Sequence, residues 1–189
     1  MTGSGHEQPL RVDALLPPEM AVRAEETGVK KASMDTVTTL MLALLAGAFI
    51  ALGGVFSTVV LAGAGSAPWG IVQLLAGLVF SLGLILVLVG GAELFTGNNL
   101  IVMAWASRRI GTRALLRNWI IVYIGNFVGA LATALLVYGG VLWMTSAGDK
   151  TKVETATKII KNAVIGLIIT VAAYAIASYV VGALVSVAG

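Results

Sequence analysis

The sequence predicts an all-α polytopic membrane protein with about four transmembrane helices, the second of which is broken by a loop. Hydrophobic residues make up 58% of its 189 residues, charged residues only 11%, and the mean hydropathy is +0.97. Soluble domains carry about 25% charged residues. Four apolar stretches approach the ~20 residues that a helix needs to cross a bilayer. One apolar run is too long for a single crossing and is interrupted by polar residues.

Residues 1–36 are expected to form a cytoplasmic N-terminal segment that includes a helix. In PPEMAVRAEETGVKKA the prolines can occupy the first turn, and acidic residues follow early. Two interpretations of this helix stay open, a solvated helix and an interfacial helix that lies along the membrane. No basic segment followed by a short apolar core precedes it, so no cleaved signal peptide is expected.

Three uninterrupted spans are predicted, at residues 37–62, 119–143 and 163–187. Small residues in the first span let helices approach closely in lipid, and Gly125 and Gly129 form a GxxxG pair that indicates helix packing in the third. Residues 37–143 are therefore expected to form one membrane unit. Residues 144–189 are expected to form a basic connector and a last span.

The remaining apolar run covers residues 71–106 and must be interrupted. As one helix it would be about 54 Å long, whereas the hydrocarbon core of a bilayer is about 30 Å thick. The polar stretch GGAELFTGNN at residues 90–99 is the expected break. Non-helical backbone at membrane depth is tolerated only where it faces protein or water, so this break predicts a permeation path or a binding site.

The break contains residue types that suit a loop and a helix restart. Gly91 and Gly97 provide permissive backbone, and Thr96 provides a hydroxyl. The amides of Asn98 and Asn99 could cap the helix where it resumes. A helix N-terminus at this depth would present N–H donors and the positive end of a dipole, which favours an anion.

Glu93 is the one acidic residue between residues 37 and 143. An ionisable group inside a membrane segment is a functional candidate. The alternative is a structural carboxylate that holds the loop in place by accepting hydrogen bonds from backbone N–H groups. The structural role is favoured, because a fixed negative charge along the path would repel an anion.

The distribution of basic residues predicts the orientation of the first three spans. Basic residues are abundant before the first span and at residues 107–118 but absent at residues 63–70, which places the N-terminus and the 107–118 loop in the cytoplasm. The connector at residues 144–162 would then be outside, yet it is also basic. The residues concerned are Arg11, Arg23, Lys30, Lys31, Arg108, Arg109, Arg113, Arg117, Lys150, Lys152, Lys158 and Lys161.

Residues 12–137 closely resemble the formate/nitrite transporter family. The resemblance lies in DALLPPEMAVRAEETGVKKA, LMLALLAGAFIALGGVFSTVV, GAELFTGNN and RNWIIVYIGNFVGAL. It implies homo-oligomeric, pentameric channels of the bacterial inner membrane, with one pore per protomer for formate, nitrite or similar small monovalent anions. It also implies that GAELFTG interrupts the second transmembrane helix and projects toward the pore.

The same resemblance implies roles for five residues along the path. Phe80 and Leu84 would form apolar constrictions on the first half of the broken helix, although without the resemblance both would be interpreted as packing residues. Leu94 and Phe95 would narrow the inner side, and Thr96 would be a mobile hydroxyl between the constrictions. Apolar rings exclude hydrated cations, and hydroxyl and backbone donors partly replace the hydration of an anion.

Two features depart from the family's pattern. The family has six spans in two inverted halves, and its second broken helix carries a central histidine, whereas the one histidine of this sequence is His6, before the first span. The pore is therefore expected to be incomplete in this chain. Residues 135–185 instead resemble a pilin-like membrane segment of type IV secretion systems, so a chimera joined near residues 136–140 is one interpretation. The other is normal insertion of all four spans, with both termini cytoplasmic.

Two functions are compatible with these patterns. The first is a channel or transporter for small monovalent anions, and the alternative is a pilin-like structural subunit of a secretion system. An enzyme is disfavoured, because no nucleophile–base set, metal cluster or nucleotide motif is recognisable. The absence of cysteine excludes thiolate metal sites. No cofactor and no nucleic-acid partner are expected.

Overall fold

The computed structural model describes residues 15–188, and in that range it is built from seven helices and contains no strand. The predicted all-α fold is confirmed. Four helices are long and apolar enough to cross a membrane, at Thr36–Ala62, Trp69–Val89, Thr112–Met144 and Lys150–Ala173. The helices are α1 Pro17–Ser33, α2 Thr36–Ala62, α3 Trp69–Val89, α4 Phe95–Asn98, α5 Ile101–Ala106, α6 Thr112–Met144 and α7 Lys150–Ala188.

Helix α1 begins at the predicted proline pair and packs on α5. The Glu19 carboxylate accepts the backbone N–H of Leu16 at 3.1 Å, which satisfies one of the donors left free at the helix start. Its two buried residues are small, Gly28 and Ala32. A Cβ on Gly28 would lie 3.1 Å from the Cβ of Ala104, so α1 approaches α5 closely. The interfacial position of α1 stays a prediction.

Helix α2 is capped by Asp35 and packs tightly on α6. The carboxylate of Asp35 accepts the backbone N–H of Thr38 at 2.9 Å. Hydrogen bonds from the hydroxyl and the backbone N–H of Thr38 lower the pKa of Asp35 below its usual value. A Cβ on Gly129 of α6 would lie 2.1 Å from the carbonyl oxygen of Leu44, so the predicted packing role of this glycine is confirmed.

Helix α3 returns alongside α2 after a short connection. A Cβ on Gly83 would lie 2.8 Å from the carbonyl oxygen of Phe49, and a Cβ on Gly53 would lie 2.8 Å from that of Phe80. Close approach of the two backbones increases dispersion contacts, which are a main source of helix association in lipid.

The helices α6 and α7 both begin earlier than the sequence predicts. Helix α6 begins at Thr112 and not at residue 119, and α7 begins at Lys150, inside the segment expected to be a connector. Residues 150–162 of the segment predicted to be a connector are thus part of α7. The carboxylate of Asp149 accepts the backbone N–H groups of Thr151 and Lys152 at 2.9 and 3.3 Å, which stabilises a helix start. The polar N-terminal part of α7 therefore carries the four lysines of this segment, Lys150, Lys152, Lys158 and Lys161.

Candidate functional site in the interrupted helix

The predicted interruption of the second span is confirmed, and its geometry begins with two glycines. Helix α3 ends at Val89, and Gly91 has a φ of +60°, a conformation that glycine adopts without steric cost. The N–H of Ala92 donates to the carbonyl of Val87 at 3.0 Å, and the N–H of Glu93 donates to that of Leu42 at 3.2 Å. The chain leaves the helix and makes a backbone hydrogen bond to α2.

Asn126 of α6 satisfies the backbone groups that the interruption exposes. Its Nδ2 donates to the carbonyl oxygens of Ala43 and Glu93, both at 2.9 Å, and its Oδ1 accepts the N–H of Phe95 at 2.8 Å. Unpaired backbone groups are costly away from water, so this side chain makes the loop compatible with its apolar surroundings. Asn126 was not among the site residues predicted from the sequence, although a lone amide within the apolar stretch IVYIGNFVGAL was an available signal.

The carboxylate of Glu93 is buried, with 2% of the residue exposed. Its oxygens accept hydrogen bonds from Lys31 Nζ at 2.5 Å and from Asn98 Nδ2 at 2.7 Å. The expected donors were backbone N–H groups, whereas the observed donors are side chains. Lys31 was missed as a site residue because the sequence analysis used it only as a topology signal.

Further polar groups connect this ion pair to α6. Asn98 Nδ2 also donates to Asn118 Oδ1 at 2.8 Å, and Asn118 Nδ2 donates to the carbonyl of Lys31 at 3.2 Å. The indole N–H of Trp119 donates to the carbonyl of Asn98 at 3.0 Å. We call Lys31, Glu93, Asn98, Asn118 and Asn126 the loop network. It joins α1, α2, the interrupted segment and α6.

The two asparagines of the loop differ from the expected caps. Helix α5 begins after Leu100 and has no side-chain cap, because the Asn98 amide points back to Glu93 and Asn118. The Oδ1 atom of Asn98 is buried and has no hydrogen-bond partner among the described residues. Asn99 is exposed. The capping prediction is therefore wrong, and Asn98 instead organises the loop from inside.

A cleft of about 400 Å³ lies against the interrupted segment, and we call it the broken-helix cleft. Three of the residues that the sequence proposed for the path, Leu84, Leu94 and Thr96, line it together. The other lining residues are Lys31, Val87, Leu88, Ala92, Gly97, Asn98 and Leu100. Its wall is mainly apolar, with a hydroxyl, an amide and an ammonium group as polar exceptions.

The two phenylalanines proposed for the path do not line this cleft. Phe80 lies one turn before Leu84 on α3 and is 43% exposed. The ring of Phe95 packs edge-on against Trp119 and Tyr123, with centroid separations of 6.2 and 5.5 Å. Edge-to-face packing at these distances is favourable, and it holds the start of α4 against α6.

Lys31, which lines the cleft, is paired with the buried carboxylate of Glu93, which is not among the lining residues. The ammonium of Lys31 neutralises the carboxylate of Glu93, which removes the repulsion that an isolated carboxylate would exert on an anion. The exposed hydroxyl of Thr96 can donate a hydrogen bond. This arrangement can accept a small anion next to apolar walls.

Comparisons with known proteins show what this chain is similar to. A family model described as "Formate/nitrite transporter" matches residues 18–188. The formate channel FocA of Escherichia coli K12 is 48% identical over 137 residues, which cover 72% of this chain and 48% of that protein. FocA of Haemophilus influenzae is 43% identical over 135 residues (71% and 48%), and the formate channel BtFdhC of Bacillus thuringiensis is 40% identical over 122 residues (62% and 46%).

The extent of these matches bears on the C-terminal segment. The chain spans about half the length of the curated relatives it matches. The family model continues to residue 188 and so includes the segment for which a pilin-like resemblance was inferred. The comparisons give no support to the pilin-like interpretation or to a chimera. The pilin-like resemblance rested on one turn and one helix, which carry little family-specific information.

Proposed function

Because this chain belongs to the formate/nitrite transporter family, we propose that it forms part of a transmembrane path for small monovalent anions such as formate or nitrite. The chain is a multi-pass membrane protein, and its named relatives are formate channels. The observation that carries the proposal is the interruption between α3 and α5. Its loop is held by buried polar groups beside a cleft that Leu84, Leu94 and Thr96 line.

The path residues would act through two physical effects. Apolar side chains of Leu84 and Leu94, with Phe80 one turn before Leu84 on α3, would exclude bulk water and hydrated cations. The ring of Phe95, fixed by its aromatic neighbours, would narrow the inner side. The hydroxyl of Thr96 would donate to the anion and replace part of its hydration, whose loss is costly in an apolar channel.

The loop-organising residues would hold the loop in its position beside this path. Gly91 and Gly97 allow the turns, and Glu93 with Asn98 ties the loop to α1 and α6. Asn99 is exposed at the end of α4 and is not assigned a part in the restart of the helix. Pairing of Glu93 with Lys31 supports a structural role for this carboxylate, because a neutralised charge neither attracts nor repels the permeating ion strongly.

We further propose that the chain resides in the bacterial inner membrane with a cytoplasmic N-terminus, as a closed ring of about five copies. The absence of cysteine permits a direct test of orientation. Ser66→Cys and Ser107→Cys place single thiols in the two connections. An impermeant maleimide added to spheroplasts should label only Ser66→Cys. Labelling of Ser107→Cys alone would reverse the proposed orientation, and a monomer in mild detergent would contradict the ring.

The transport proposal is tested by formate uptake into proteoliposomes that contain the purified chain. Thr96→Val removes the proposed donor, and Thr58→Val is the matched control, because its hydroxyl donates to the carbonyl of Gly54 within α2 at 2.8 Å. Uptake should be several-fold lower for Thr96→Val than for Thr58→Val. No uptake by the unmodified chain would overturn the transport function, and equal uptake by both variants would remove Thr96 from the path.

A further inference from the structure

A second cleft, of about 490 Å³, lies at the connection between α5 and α6, and we call it the arginine cleft. Its lining includes Trp105, Arg108, Arg109, Ile110 and Thr112. It shares no lining residue with the broken-helix cleft. Nothing in the transport proposal uses it.

The arginine cleft is positively charged and incompletely compensated. No acidic residue lines it. Among residues 15–188 the guanidinium of Arg108 makes no hydrogen bond or ion pair. Arg109 Nη1 lies 3.6 Å from Glu25 Oε2, and both side chains are partly exposed, at 42% and 29%. An exposed pair of this kind is weak, so Arg109 keeps donors for another acceptor.

The position of the arginine cleft along α6 corresponds to the membrane interface. Lysine, arginine, aspartate and glutamate are absent from residue 118 to residue 144, and the preceding helical residues 112–117 add about 9 Å of helix. The headgroup layer on each side of the hydrocarbon core is about 5–8 Å thick, so the charged first turns of α6 are long enough to extend through it. We therefore expect the cleft at the start of α6 to lie at the headgroup layer.

Trp105 provides a second and independent indication of an interfacial ligand. Its indole N–H donates to the hydroxyl of Thr112 at 3.0 Å, yet the residue is 42% exposed. Tryptophan is enriched at the membrane–water boundary, where its ring contacts the glycerol region of lipids. Half-buried Ile110 extends this apolar contact at the edge of the cleft.

We propose that the arginine cleft binds the phosphodiester headgroup of an anionic phospholipid. A guanidinium presents a planar fork of donors that matches two phosphate oxygens. Arg108 and Arg109 would hold the phosphate, while Trp105 and Ile110 would contact the glycerol backbone and the first methylene groups. Basic pockets next to transmembrane helices commonly bind such headgroups.

The test is native mass spectrometry of the full chain in mild detergent with added phosphatidylglycerol or phosphatidylcholine of the same acyl length. Arg108→Gln should lower the phosphatidylglycerol-bound fraction by about tenfold, because direct hydrogen bonds between the guanidinium and the phosphate are lost. Arg113→Gln is the matched control, because it removes an equal charge at the same end of α6 but does not line the cleft. That control loses only the screened attraction of a charge without direct contact and should change binding by less than about twofold.

Inorganic phosphate at millimolar concentration tests whether the cleft binds a lipid headgroup or free phosphate. It should leave the bound phosphatidylglycerol in place, since it cannot reproduce the contacts to Trp105 and Ile110. Displacement of the lipid would assign the cleft to free phosphate and overturn the lipid proposal. Equal binding of phosphatidylcholine, unchanged binding by Arg108→Gln, or an equal loss in Arg113→Gln would overturn it as well. Thermal unfolding of each variant verifies that the fold is intact.

Discussion

The interrupted segment and the α6–α7 hairpin are held by different forces, although both belong to membrane-spanning helices. Around the interruption, side-chain hydrogen bonds connect positions as far apart as Lys31 and Glu93 or Ala43 and Asn126. In the hairpin, Gly139 packs against Ile159 and Ile160, where a Cβ would lie 3.3 and 2.8 Å from their side chains. The side-chain hydrogen bonds described on α7 up to Thr170 remain within that helix.

The difference follows from the backbone. A continuous helix satisfies its own N–H and C=O groups, so α7 needs only apolar and small-residue packing. The interruption between α3 and α5 removes that internal pairing, and the freed groups require partners from other helices. Buried polar residues are therefore concentrated where a helix is broken. Matched substitutions in the two regions can test this explanation.

The largest expected effect is that of Glu93→Ala. Removing the buried carboxylate leaves the Lys31 ammonium without its acceptor and takes away one of the two acceptors of the Asn98 amide. The free energy of unfolding should fall by about 3 kcal/mol, the lower end of the range for a broken buried ion pair, because a quarter of the Lys31 side chain is exposed. The measurement is tryptophan fluorescence during titration with denaturing detergent. Glu154→Ala, at an exposed acid on α7, should cost less than about 0.5 kcal/mol, and equal losses would contradict the comparison.

A smaller effect is expected from adding one methyl group in each region. Gly129→Ala places a Cβ 2.1 Å from a backbone oxygen of α2, so the helices must separate at a cost of about 2–3 kcal/mol. Gly139→Ala meets the flexible side chain of Ile160, which can shift, and alanine favours the helix. The free energy of unfolding of Gly139→Ala should therefore lie within about 1 kcal/mol of that of the unmodified chain. The same detergent titration compares the stability of the two variants. A larger loss of stability in Gly139→Ala than in Gly129→Ala would refute this account of packing.

The next effect concerns the backbone of the loop itself. Asn126→Ala leaves the carbonyl of Glu93 and the N–H of Phe95 without their side-chain partner, at a cost of about 1–2 kcal/mol. Amide hydrogen exchange of residues 92–96 should accelerate. Asn162→Ala on α7, where the residue is exposed, should leave those exchange rates unchanged. Unaltered exchange in Asn126→Ala would show that the loop does not depend on this amide.

The smallest effect is a stabilisation in the hairpin turn. Ala147 has a φ of +48°, a left-handed conformation that costs a non-glycine residue roughly 1–2 kcal/mol. Ala147→Gly should stabilise the chain by about 0.5 kcal/mol after the entropic cost of glycine is subtracted. Ala134→Gly, within α6, should destabilise it by about 0.5–1 kcal/mol. Thermal unfolding distinguishes the two signs, and destabilisation in both would contradict the strain assigned to the turn.

Most of the fold was predictable because its signals are local. The span at Thr36–Ala62 and the interruption at residues 90–99 follow from length and composition, since a bilayer limits how far an apolar helix can extend. The starts of α6 and α7 were less predictable. Their first turns are charged and resemble loops. A side-chain cap, Asp149, marks the start of α7, whereas the start of α6 at Gly111 has no such cap. The pilin-like resemblance did not identify the family because the apolar part of one helix, α7, carries little family-specific information.

The sequence by itself determined that this protein crosses a membrane several times, that one crossing is interrupted, and which residue types the interruption contains. Those properties depend on hydropathy and on the geometry of a single helix. Only the tertiary structure decided that Lys31 is the partner of Glu93 and that the Asn126 side chain satisfies backbone groups of the loop. It also decided that Leu84, Leu94 and Thr96 line one cleft. These contacts join segments tens of residues apart. They depend on how α1, α2 and α6 pack through their small residues, which no local pattern specifies.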